Sequence, residues 1–85
     1  QTSPSAALPA NTRDGLNYLS NTSVRLALMA PQKTTVYVIG DFNNWEADPA
    51  YLMNRDNTND RFWLNINNLT PGIEYGYQFL VYDAN

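Results

Sequence analysis

The feature that most constrains the fold of this chain is an alternation of period two, repeated in short bursts and broken by turn-forming residues. Val24, Leu26 and Leu28 fall on one side of an extended segment, with Arg25, Ala27 and Met29 on the other. Phe62, Leu64 and Ile66 alternate with Trp63, Asn65 and Asn67 in the same way. Toward the end, Tyr75, Tyr77, Phe79 and Val81 alternate with Gly76, Gln78, Leu80 and Tyr82. Successive side chains of a strand point to opposite faces, so this spacing predicts strands that each turn one face to a core. Helical spacing is not sustained over any useful length.

The breaks are as regular as the strands. Asp14-Gly15, Ser20-Asn21, Gln32-Lys33 after Pro31, and Pro71-Gly72 are turn signals, and Pro71-Gly72 has the order a type II turn requires. The pattern predicts strands over 16–19, 22–30, 34–40, 61–67 and 73–82, with a short edge strand over 51–54 and a polar turn over 55–60. Short strands spaced by turns indicate an all-β, immunoglobulin-like β-sandwich. Such a sandwich needs about 100 residues and about seven strands. The count leaves open a sandwich lacking its last strand, whose neighbour would then show a bare edge for another molecule to cover. Residues 1–13 mix Pro, Ser and Ala without periodicity and read as a linker or loosely docked leader, which places the domain at 14–85. The chain begins with Gln rather than Met, so the expectation is an internal segment of a longer protein.

One stretch stands apart from the plain alternation. Val36-Tyr37-Val38-Ile39 runs into Gly40, then Asp41-Phe42-Asn43-Asn44, and then Trp45. β-Branched and aromatic residues make the strand, glycine permits a sharp exit, and the asparagines suit tight-turn geometry. A tryptophan just past such a loop is costly to leave in water unless it packs or binds.

Composition narrows what it can bind. The 85 residues contain no cysteine and no histidine, which removes thiol chemistry, the usual zinc sites and a histidine proton shuttle. The net charge is −3, and the basic residues Arg13, Arg25, Lys33, Arg55 and Arg61 form no stripe, so nucleic acid is not an expected partner. No apolar run approaches the roughly 20 residues that span a bilayer, so no membrane partner is expected either. No cofactor or metal is implied.

With the strands placed, Tyr37 to Trp45 resembles the V-x-G-D-F-N-x-W signature of family-48 carbohydrate-binding modules. These are the early-set immunoglobulin-like domains that precede the catalytic barrel in isoamylases, pullulanases and branching enzymes. Val24 to Pro31 is similar to the family's x-F-x-V-W-A-P strand, Leu69-Thr70-Pro71-Gly72 to its L-x-P-G turn, and Tyr75 to Phe79 to its Y-x-Y-x-[FI] strand. The resemblance implies a non-catalytic accessory domain of a family-13 glycoside hydrolase. Its partners would be an α-glucan such as starch or glycogen and a catalytic domain downstream in the same chain. It also implies that Trp45 stacks on a glucose ring, with Asn43, Asn44 and Gln78 reaching hydroxyls. Gln78 stands where binding members carry a lysine, and their second tryptophan would fall at or past Asn85.

The residues themselves allow two uses of Trp45: covering the C–H face of a pyranose, or packing over the sandwich end. Trp63 and Tyr82 are expected on outward faces, as domain contacts or as packing beneath a loop. Asp41, Glu46 and Asp48 lie close in sequence, but a thin sandwich offers no cleft in which paired carboxylates could work as a glycosidase, so no catalytic residue is assigned. The alternative from another class is a structural or protein-interaction module without sugar affinity, presenting Trp63 and Tyr82. The compartment stays open, with an extracellular or periplasmic setting favoured.

Overall fold

A computed structural model describes residues 2–83. Its strands are β1 (Gly15–Tyr18), β2 (Val24–Met29), β3 (Lys33–Gly40), β4 (Asn54–Asp56), β5 (Arg61–Ile66) and β6 (Tyr77–Asp83), with one 3-10 turn at Pro49–Tyr51. They form a four-stranded sheet in the order β1-β2-β5-β4 and a two-stranded sheet of β3 and β6. Every pairing between these strands is antiparallel. The immunoglobulin arrangement sets four strands against three, and the described residues supply four and two of them.

The alternation seen in the sequence sets the core. Leu26, Phe62 and Ile66 from the larger sheet meet Val36 and Val38 from the smaller one, and Met53 closes the cluster. Trp63 and Ala27 are register partners on the outer face of the larger sheet. The turn at Pro71-Gly72 forms as expected: the Ile73 amide donates to Thr70 O at 3.4 Å, and Gly72 sits at φ 79°, the left-handed position of a type II turn.

The leader departs furthest from expectation, being tied down rather than a loose tail. Ser3 N donates to Thr34 O at 3.2 Å, and the Val36 amide donates to Ser3 Oγ at 3.1 Å, both on β3. Arg55 N then donates to Pro4 O at 2.7 Å, and Ala6 N to Arg55 O at 3.0 Å, on β4. Residues 3–6 therefore bridge the two sheets along one side of the sandwich. Farther on, the leader crosses the outer face of the larger sheet, where the Trp63 indole donates to Ala6 O and Arg25 to Thr12 Oγ1.

Three other expectations shift. The edge strand over 51–54 is replaced by the 3-10 turn, capped by Asp48 Oδ1 accepting from Ala50 N, and the strand begins only at Asn54. Between them the chain changes sheets: Met53 N donates to Val36 O, whereas Asn54 pairs with Trp63. The polar turn expected over 55–60 forms only over 57–60, since Arg55 and Asp56 belong to β4, and Asp56 is only 5% exposed. The strand over 73–82 starts instead at Tyr77. Thr70 N donates to the Tyr75 hydroxyl, which holds the preceding segment as a corner rather than a ladder.

Among the described residues the smaller sheet holds β3 and β6 alone, and the inner face of β1 is uncovered. Tyr18 is 80% exposed, and with Leu16, Val24, Ile73 and Tyr75 it lines an open groove of about 540 Å³. The edge of β6 away from β3 has no strand partner among the described residues. The place expected for a second tryptophan, at or past Asn85, lies outside the described residues.

Candidate functional site

The site is built at the end of β3. Gly40 is buried there, and a side chain at that position would collide with Gly76 O and with the Phe42 ring, so only glycine fits. Its carbonyl accepts from Asn43 N at 3.1 Å and from Trp45 N at 3.0 Å, which folds the loop back onto the strand end.

Asn43 acts on the strand itself. Its Oδ1 accepts from Gly40 N at 2.9 Å and its Nδ2 donates to Val38 O at 2.9 Å, replacing a neighbouring strand. Ser3 does the same at Thr34 and Val36, and Met53 at Val36 O. Three borrowed groups thus cap the edge of β3 that faces away from β6, which is the protection an edge strand needs. The Asn43 amide is engaged in the fold, with its donor and its acceptor both facing backbone.

Asn44 and Trp45 follow with φ of 57° and 59°. The left-handed region is unusual for a bulky side chain and costs about 1–2 kcal/mol per residue. Contacts on the indole offset that cost. Trp45 Nε1 donates to Asp41 Oδ1 at 3.1 Å, and Asp41 Oδ2 accepts from Gly76 N at 2.7 Å. Asp41 N also donates to Gly76 O at 3.1 Å. In an antiparallel ladder the Gly76 amide would go to the Asp41 carbonyl; here the side chain takes it, and the regular β3–β6 pairing ends at Gly40 and Tyr77. The Trp45 ring lies against Gly76, with Cζ2 3.4 Å from where a Cβ would sit.

The result is a tryptophan held along one edge and still 44% exposed. Asn44 beside it is exposed. Gln78, exposed too, is the register partner of Ile39 on the outer face of the smaller sheet, two residues beyond Gly76. The structure brings Trp45 and Asn44 together on one loop and sets Gln78 on the strand that anchors it. Asp41 and Gly76 were absent from the residues expected at the site. The D-F-N-x-W spacing, which puts a carboxylate four residues before the indole, was the signal for the first.

The other expected residues lie elsewhere. Trp63 is half-buried under the leader, its N–H donating to Ala6 O at 3.1 Å and the Arg25 guanidinium 5.9 Å from its ring centre. Tyr82 is on the smaller sheet, edge-on to Tyr37 with ring centres 6.2 Å apart. The two therefore do not share a patch. Of the weighed carboxylates, Asp41 is bound to Trp45 and Gly76, and Asp48 caps the 3-10 turn.

Fold and loop together define an immunoglobulin-like all-β domain with an anchored, half-exposed tryptophan at one strand end. The family model for carbohydrate-binding module 48, the isoamylase N-terminal domain, matches residues 14–84, and the chain belongs to that family. Similar relatives are 1,4-alpha-glucan branching enzymes of Clostridium perfringens strains: GlgB and a GlgB 2, each 41% identical over 54 residues, and a further GlgB 2 at 39% over the same length. Each match covers 64% of this chain and 8% of the relative, so the chain corresponds to a small part of those enzymes. The matched part is non-catalytic.

Proposed function

We propose that this domain is the accessory module of an α-glucan-acting enzyme whose catalytic domain lies outside the chain, and that it touches α-glucan through Trp45. The observation that carries this reading is the anchored indole: a large aromatic held in an unusual backbone conformation, yet left 44% exposed. The names of the relatives, all 1,4-alpha-glucan branching enzymes, support the ligand class.

In this reading Trp45 covers the C–H face of a pyranose, while Asn44 and Gln78 meet hydroxyls. Asn43 contributes by shaping the strand end. Covering about 60 Å² of apolar surface at about 25 cal/mol per Å² is worth roughly 1.5 kcal/mol. A millimolar complex needs roughly 4 kcal/mol, so a single ring with a few amides gives weak binding, suited to positioning an enzyme along a polymer. The competing reading, a protein-interaction module presenting Trp63 and Tyr82, gains no support from the placement of those residues on different sheets. Titration with maltoheptaose, followed by tryptophan fluorescence, tests the proposal. A saturable change in the millimolar range is expected, and a flat response with the fold intact by circular dichroism would overturn it.

A further inference from the structure

The indole of Trp45 is fixed by groups that the glucan reading does not itself assign. Its Nε1 donates to one oxygen of Asp41, and the other oxygen accepts the Gly76 amide. The carboxylate thus joins the loop tryptophan to the start of β6. Gly76 completes the seat, because an added Cβ would press on Asp41 Oδ2 at 3.3 Å, while the Trp45 ring lies against the same position at 3.4–3.5 Å. The seat therefore uses both oxygens of the acceptor at 41, and a side chain at 76 would crowd that carboxylate.

We propose that Asp41 and Gly76 are positioning residues that hold Trp45 along its Nε1–Cζ2 edge, so that the ring meets a sugar as apolar surface and not as a hydrogen-bond donor. The ligand side of this inference rests on the glucan reading. The tie itself belongs to the free domain. With the indole N–H engaged, directional contacts to hydroxyls fall to Asn44, Gln78 and the remaining lone pairs of Asp41. An indole without this tie would sample other rotamers, and binding would then carry the cost of ordering it.

The test uses ¹⁵N-labelled chain, in which the two tryptophans give separate indole N–H signals and Trp63 serves as the internal reference. Asp41→Ala is expected to move the Trp45 indole signal, leave that of Trp63 in place, and weaken maltoheptaose binding about tenfold, the size of one charge-assisted hydrogen bond. Asp41→Asn, which keeps one oxygen acceptor, should recover part of the affinity. Gly76→Ala should weaken binding with Asp41 intact, and it replaces Asp41→Ala if that variant does not fold. A folded Asp41→Ala chain that binds as tightly as the unaltered one would overturn the proposal, as would an unmoved Trp45 signal. If the unaltered chain binds no maltoheptaose, the glucan reading fails, and the indole signal alone decides the tie.

Discussion

The indole N–H of Trp63 donates to the carbonyl of Ala6 across 3.1 Å, joining the middle of the larger sheet to a leader without periodic pattern. The contact explains how an aromatic on an outward face avoids water without a partner domain. Trp63→Phe keeps most of the packing and removes the donor, leaving Ala6 O without it. The expected loss is about 1 kcal/mol in urea unfolding, with an unchanged denaturant slope.

Removing residues 1–9 should do more. It strips the hydrogen bonds made to Thr34, Val36, Arg55, Asp56 and Trp63 and bares one edge of β3. At about 1 kcal/mol per net hydrogen bond the loss is a few kcal/mol, a large share of the roughly 5–15 kcal/mol that stabilises a domain. Comparison of urea midpoints checks this, and a truncated chain as stable as the full one would show the leader to be an ornament.

Asp56 gives the chain an acid-sensitive joint. Its carboxylate accepts from Leu8 N, Asn59 Nδ2, Thr58 N and Asn59 N, and these bonds lower its pKa from 3.8 to about 2, the Leu8 amide first among them. The folded state thus holds this proton more weakly than the unfolded state. Its stabilising contribution is complete above about pH 4 and is lost as the pH falls toward 2. Asp56→Asn should lower the melting temperature at neutral pH and flatten its decline between those values. Melting curves across the acid range read both effects.

Gly40 has no room for a side chain, since a Cβ there meets Gly76 O and the Phe42 ring. Gly40→Ala should cost roughly 3 kcal/mol and displace the loop that carries Trp45. Circular dichroism melting with the Trp45 indole signal as a local probe separates the global loss from the local one.

Where side chains alternate, the sequence was a good guide: β2, β3 and β5 and the type II turn at Pro71-Gly72 could be read from it, because burial of one face imposes period two. Where backbone is satisfied by something other than a strand, it was not. The leader has no periodicity because it bonds to both sheets in short pieces through Ser3, Pro4 and Ala6. Asp56 reads as a turn residue until four donors converge on it. The ladder stops before Gly76 because the Asp41 carboxylate takes the place of its backbone carbonyl. Asn43, expected to face a sugar, faces Val38 and Gly40 instead, since an amide two to three residues past a strand end can reach back and stand in for a missing strand. Trp45 stands out in the sequence by its position, but what holds it there depends on a residue thirty-odd places away, which spacing alone does not bring near.

The measurement that tests the central claim most directly is maltoheptaose binding by the Trp45→Ala chain beside the unaltered one, with melting temperatures of both. Trp45 as a glucan platform predicts a millimolar affinity that disappears in the variant while the melting temperature falls by no more than the loss of the single bond to Asp41 accounts for. Equal binding by both chains, or a variant that melts several degrees lower with its affinity unchanged, would contradict the account and make Trp45 a packing residue.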